Sequence, residues 1–193
     1  KKFMPRARLG GTDRGSAKGS DSAEPVVQPL VPDHVGFTSQ ETPVLNWFLS
    51  KPTPDELRFT LIDDKSVKPI YEAPLPAPKT AGIFSIRTKD LDLVLQPGIQ
   101  YRWFISIIRH ASTADIVTGD IIQRCELSDC LIVMDARMTC SVQSVVQNAR
   151  AGLWYDAMGC LCSLIDESPA DLSLRKLRAS LLTQVGLHGV AEW

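Results

Sequence analysis

The side chains able to do chemistry in this chain are few and scattered. His34, His110 and His188 fall in three separate regions, and none has a carboxylate, serine or cysteine at the spacing of a nucleophilic or acid–base constellation. The acidic pairs Asp63-Asp64 and Asp90 with Asp92 lack both the alternating oxygen-ligand loop of a calcium site and the fixed partner distance of a glycosidase pair, so they read as turn formers. Gly10-Gly11 and the stretch from Gly15 to Gly19 do not make a phosphate loop. No strand pattern precedes them, no helix pattern follows, and the Gly-Lys-Ser/Thr ending is missing.

The five cysteines are Cys125, Cys130, Cys140, Cys160 and Cys162. An odd number leaves at least one thiol unpaired within a monomer. No Cys-x-x-Cys occurs, which argues against zinc, a dithiol redox centre or haem attachment. Cys160 and Cys162, two apart on one helix, would point about 200° apart and cannot bond to each other. Cys125 and Cys130 could close a small loop, although buried free thiols are the commoner fate of such residues. The expectation is no catalytic centre, no metal and no organic cofactor.

Positioning elements follow from periodicity. Between Thr42 and Arg124, β-branched and aromatic runs alternate between closely spaced turn residues, which predicts strands at 43–49, 56–63, 67–72, 82–87, 100–109 and 116–124. Six or so such strands suit two packed antiparallel layers. In Leu95-Gln-Pro-Gly-Ile-Gln-Tyr-Arg-Trp-Phe-Ile105, a Pro-Gly turn feeds a strand whose Tyr101, Trp103 and Ile105 share one face. This stretch resembles the start of a core strand in fibronectin type III sandwiches, with Tyr101 as the tyrosine-corner hydroxyl and Trp103 in the core.

Beyond Arg124 the period becomes helical, which predicts helices at 128–136, 139–151 and 154–166 and a fourth from Pro169 to near Gly186. Ala151-Gly152-Leu153-Trp154-Tyr155-Asp156-Ala157 reads as the turn of one tetratricopeptide-like hairpin. Gly152 would allow close crossing, and Trp154 and Tyr155 would fill the angle. One such unit cannot bury its own face, so it must pack on the strands or on a neighbour. Trp103 and Trp154 are expected to be buried, with Trp193 free of such a role.

The chain of 193 residues has a net charge of −1 that conceals an asymmetry. Residues 1–20 hold Lys1, Lys2, Arg6, Arg8, Arg14 and Lys18 against Asp13 alone, a net of +5, and the remaining 173 residues hold 15 basic and 21 acidic side chains, a net of −6. The first 32 residues are rich in Gly, Ser and Pro and cannot order themselves by burial. They predict an arm that docks on another copy, with Val26, Val27, Leu30 and Val31 as apolar anchors and Arg6, Arg8 and Arg14 meeting acidic surface. The strands show no basic run that would extend this arm into a nucleic-acid footprint, so nucleic acid is a poor partner. No stretch approaches the ~18 apolar residues of a membrane span.

Four stretches in this order resemble a bacterial family catalogued as domain of unknown function 928. They are the Gly-rich arm leading to Leu30-Val-Pro32, then Thr42-Pro43 to Trp47-Phe48, then Tyr101 to Ile108 with Ile121-Ile-Gln-Arg124, and last Gly152 to Ala157 with Leu181 to Leu187. The resemblance implies an extracytoplasmic setting, with a signal peptide removed before residue 1, and a sandwich followed by helices. It implies no activity.

The resulting expectation is an α+β chain: an extended arm at 1–35, an antiparallel immunoglobulin- or fibronectin-like β-sandwich at 36–125, and a small helical, tetratricopeptide-like segment at 126–193. Functionally it points to a non-enzymatic structural subunit of an extracytoplasmic homo-oligomer or filament. The alternative is a monomeric envelope module that binds another protein or signals.

Overall fold

The computed structural model describes residues 24–66, 68–109, 114–126 and 139–193. Eight strands come first: β1 Val27–Pro29, β2 Gly36–Thr38, β3 Val44–Leu49, β4 Glu56–Asp63, β5 Tyr71–Leu75, β6 Gly82–Arg87, β7 Gln100–Ile108 and β8 Ile116–Arg124. Four helices follow: α1 Val142–Ala151, α2 Trp154–Glu167, α3 Leu172–Gln184 and α4 His188–Ala191. The order of strands then helices, and most of their positions, match the periodicities. The 128–136 helix falls almost wholly on residues outside those described.

The strands form two sheets, β1-β3-β6 and β2-β8-β7-β4-β5. All pairs are antiparallel except β2 with β8, which is parallel. Period-two alternation sends Leu57, Phe59 and Leu61 of β4 and Tyr101, Trp103, Ile105 and Ile107 of β7 into the interior, where each is buried. They share one apolar cluster with Leu45, Trp47 and Leu49 of β3. The Tyr101 hydroxyl accepts the Gln96 N–H at 3.0 Å, tying the start of β7 back to the turn before it. Residues 67–72 were expected to hold a strand, yet β5 begins at Tyr71 and includes Pro74; lacking an N–H, Pro74 is tolerated because β5 is an edge strand.

Strand β3 is buried on both faces. Opposite the face carrying Leu45, Trp47 and Leu49 lie Val44, Asn46 and Phe48, and the helices cover them. A β-carbon added at Gly159 of α2 would stand 3.1 Å from Val44, so glycine there lets the helix approach the strand closely. The ring of Trp193 lies 5.3 Å from that of Phe48. Trp193 is half exposed, yet it has a packing role that the sequence did not reveal.

Three expectations are corrected here. Val27, Leu30 and Val31 do not leave the body: each is 1% exposed within the chain's own core, because β1 pairs with β3 and closes the smaller sheet. Val26 is tied down beside them, its N–H donating to the Ser50 hydroxyl at 2.8 Å and its carbonyl accepting the Ser50 N–H. The extended arm therefore ends well before residue 35, and Arg6, Arg8 and Arg14 lie outside the described residues. Strands and helices also share one core, with Val145, Leu161 and Leu182 in the same cluster as Trp103, so 36–125 and 126–193 are not separately packed units.

The third correction concerns Gly152. It has a φ of 79°, and a β-carbon added there would meet nothing within 4 Å, so it serves as the left-handed cap of α1 and not as a close crossing point.

Candidate functional site: a groove between the helical hairpin and the strands

The start of α2 fastens the helices to the strands. Three consecutive side chains do this. The Trp154 indole N–H donates to the Leu30 carbonyl at 2.7 Å. The Tyr155 hydroxyl accepts the Trp103 indole N–H at 2.9 Å and donates to the Ile121 carbonyl at 3.3 Å. Its ring lies against Gly36, where a β-carbon would stand 2.5 Å from a ring carbon. These aromatics therefore fill the junction of helix and strands, not the angle of the hairpin. Trp103 and Trp154 are buried as expected, at 0% and 8% exposure.

Asp156 completes the junction. Its carboxylate accepts the Thr38 hydroxyl, the Ser39 N–H at 2.9 Å and the Ser39 hydroxyl at 2.5 Å. Burial pushes its pKa up from the usual carboxylate range, and these hydrogen bonds partly oppose that shift. The connection that follows β2 is thereby held beside the first turn of α2.

On the far side of that connection, α1 leans on α2. Ser141 caps α1 by accepting the Ser144 N–H, and the Ser144 side chain returns the bond to the Ser141 N–H. A disulfide joins Cys140 to Cys160, with their Cα atoms 5.4 Å apart. Cys125 is disulfide-bonded too, and Cys162 is a buried free thiol whose pKa burial raises to about 11. Free thiols were expected to be the commoner state. The sign of the Cys140–Cys160 pairing was one cysteine at the start of the first predicted helix and another on the second.

Between α1, α2 and the β2–β3 connection lies an open groove of about 250 Å³. Gln40, Thr42 and Val44 form one wall, Ser144 and Asn148 another, and Gly159 with Ser163 the floor beside the disulfide. Asn148 is 9% exposed and lines the groove. No lysine, arginine or histidine lines the groove. Among the described residues no three His, Cys, Asp or Glu side chains are grouped to hold a metal, and no helix is long and apolar enough to cross a membrane. His34 sits beside β2 and His188 begins α4, while His110 lies outside the described residues. Sequence reasoning quoted Asp156 within the Ala151–Ala157 run but missed its role, because only the packing of distant segments brings Thr38 and Ser39 to it.

The family model described as Domain of Unknown Function (DUF928) matches residues 9–193. No curated protein matches the chain. Among solved structures, the crystal structure of an engineered protein from a structural genomics target is similar over 54% of this chain and 21% of its own length, at 8% identity and a TM-score of 0.36.

Proposed function

We propose that this chain, which belongs to the DUF928 family, is a non-enzymatic extracytoplasmic binding module whose groove between helices and strands receives a protein partner. The observation that carries this reading is the self-contained placement of Val27, Leu30 and Val31. With those anchors used in the chain's own core, the arm-docked filament subunit loses its apolar contacts and the monomeric module becomes the better account. The Cys140–Cys160 disulfide supports an oxidising compartment, where such bonds persist.

The strand order supports a finer description of the scaffold. β1-β3-β6 facing β8-β7-β4-β5 follows the A-B-E and G-F-C-C′ order of fibronectin- and immunoglobulin-type sandwiches, and the Tyr101 bond sits where their tyrosine corner does. The antiparallel hairpin of α1 and α2, with Ala157 buried in it, supports a tetratricopeptide-like unit whose partner face has become the strands.

Sedimentation velocity over a wide concentration range tests the reading. A monomer throughout is expected. Concentration-dependent assembly that disappears when residues 1–23 are deleted would return the structural-subunit reading, which the +5 charge of residues 1–20 against the −6 of the rest still favours.

A further inference from the structure

A free strand edge is a template for another strand, and folded proteins blunt such edges with proline, charge, shortness or a covering element. Among the described residues the edge strands are β1, β2, β5 and β6, and all but one are blunted. β1 and β2 have three residues each; β1 ends on Pro29, and β2 lies against the Tyr155 ring at Gly36. β5 is interrupted by Pro74 and exposes Glu72. β6 is the exception. It runs six residues without proline, carries a single charge at its last position, Arg87, and pairs on one side with β3.

The ladder fixes which of its backbone groups are free. The Thr88 N–H donates to the Pro43 carbonyl at 3.2 Å, one step beyond the pairing of Arg87 with Val44. Bonded pairs alternate along an antiparallel ladder, so Gly82, Phe84 and Ile86 turn their backbone groups toward β3, and Ile83, Ser85 and Arg87 turn theirs away. The other side of β3 agrees: the Asn46 carbonyl accepts the Leu30 N–H on the β1 side. The N–H groups of Ile83, Ser85 and Arg87 and the carbonyls of Ile83 and Ser85 bond to no backbone group among the described residues. Donors and acceptors repeating at every second residue are the complement of an extended backbone; a helix has none to spare.

Side chains define that backbone's owner. On the interior face Ile86 is buried, and the Phe84 ring lies 5.2 Å from that of Trp47. On the other face Ser85 and Arg87 are exposed, and Arg87 has no ion-pair partner among the described residues. A strand laid beside β6 therefore needs apolar side chains next to Phe84 and a carboxylate next to Arg87. A second copy supplies neither arrangement: residues 79–87 contain no Asp or Glu, and residues 1–20 carry Asp13 alone against six basic side chains.

We infer that the free edge of β6 accepts a fourth strand, an extended segment of a partner protein in which apolar and acidic residues alternate. No residue of β6 lines the groove, so this is a second surface and the inference goes beyond the groove reading.

The test is amide hydrogen exchange, read by NMR on the full oxidised protein, with acetyl-Val-Glu-Val-Glu-Val-amide as the probe and acetyl-Val-Lys-Val-Lys-Val-amide as its basic counterpart. In the free protein the Ile83, Ser85 and Arg87 amides should exchange faster than those of Phe84 and Ile86. The acidic peptide should slow them in a saturable way, and the basic peptide should not. Arg87→Glu, at an exposed position, should weaken the acidic peptide about fivefold, attraction being replaced by repulsion, and should let the basic peptide bind. Ser85→Pro removes an outward N–H and leaves the bonds to β3, so it should abolish the protection of Ile83 and Arg87. Protection by both peptides alike, protection at a different edge, or none at β6 with the acidic peptide overturns the inference and leaves the groove reading in place. Self-assembly that Ser85→Pro abolishes also overturns it, because β6 would then pair with a second copy. Saturable protection of β6 in a protein that assembles through residues 1–23 supports the edge and defeats only the monomeric reading.

Discussion

Removing the Cys140–Cys160 bridge, by Cys140→Ser with Cys160→Ser, tests how far the helical hairpin depends on covalent support. The two cysteines are 20 residues apart. Loop-closure entropy for a loop of that size corresponds to about 3 kcal/mol of added stability at 25 °C. Against a typical total of ~5–15 kcal/mol, that is a large share. The rest of the hairpin keeps its own supports: Val145 is fully buried, and the Ser141–Ser144 capping box does not need the sulfurs. The double variant should therefore fold with the same secondary structure, and its urea midpoint should fall by the equivalent of about 3 kcal/mol with little change in slope. Reducing the parent protein with dithiothreitol should reproduce the shift if this bridge dominates the response. Denaturation followed by tryptophan fluorescence reads the loss, since Trp103 and Trp154 lie on the strand and helix sides of the junction. A shift below about 0.5 kcal/mol would refute the reasoning, because it would mean that the unfolded state already holds these segments together.

Three further outcomes follow from the helix–strand junction. Trp103→Phe and Tyr155→Phe, singly and together, should show a coupling of about 1 kcal/mol in a double-mutant cycle, and additive losses would show that the Trp103–Tyr155 bond contributes nothing. Burial raises the Asp156 pKa from its ordinary value of 3.8, so its protonated form is favoured in the fold. Its contribution is fully present below the unfolded-state pKa and is lost as pH rises through the raised one; Asp156→Asn should flatten stability against pH above 3.8, and an unchanged pH profile would refute this. Gly36→Ala places a methyl group 2.5 Å from the Tyr155 ring and should cost about 1–3 kcal/mol in thermal or urea unfolding, whereas a neutral result would mean that the ring has room to move.

The parts legible in the sequence are those with a period of their own. β4, β7 and β8 alternate over eight or nine residues, long enough for the pattern to stand out, and α2 and α3 carry repeating apolar positions. β1 and β2 have three residues each, too short to show alternation, and Pro25, Pro29 and Pro32 make that stretch look like a linker. Only their partners β3 and β8 make them strands. The groove is illegible for a related reason. Its walls come from residues 40–44 and 140–163, and a polar residue such as Asn148 looks like any solvated helix position until the strands arrive beside it. The Trp-Tyr-Asp run stands out for its aromatics, but its neighbour does not, because helical hairpins and helix–strand junctions call for the same residue types.

That run also settles what the helices are to the strands. Each of its side chains bonds a different part of the strand region: the Leu30 carbonyl ahead of β2, Trp103 and Ile121 on β7 and β8, and Thr38 and Ser39 at the end of β2. Cutting the protein after Arg124 would leave the Trp103 indole N–H buried without its acceptor and would expose Phe48, which now packs against Trp193. Leaving such a donor unpaired costs about 1–3 kcal/mol, and uncovering an aromatic side chain costs a comparable amount. The first loss would fall on β7 of the five-stranded sheet, and the second on a three-stranded sheet whose first strand is only three residues long. The helices therefore complete the strand fold, and the groove they form with it is fixed by the same contacts that hold the core.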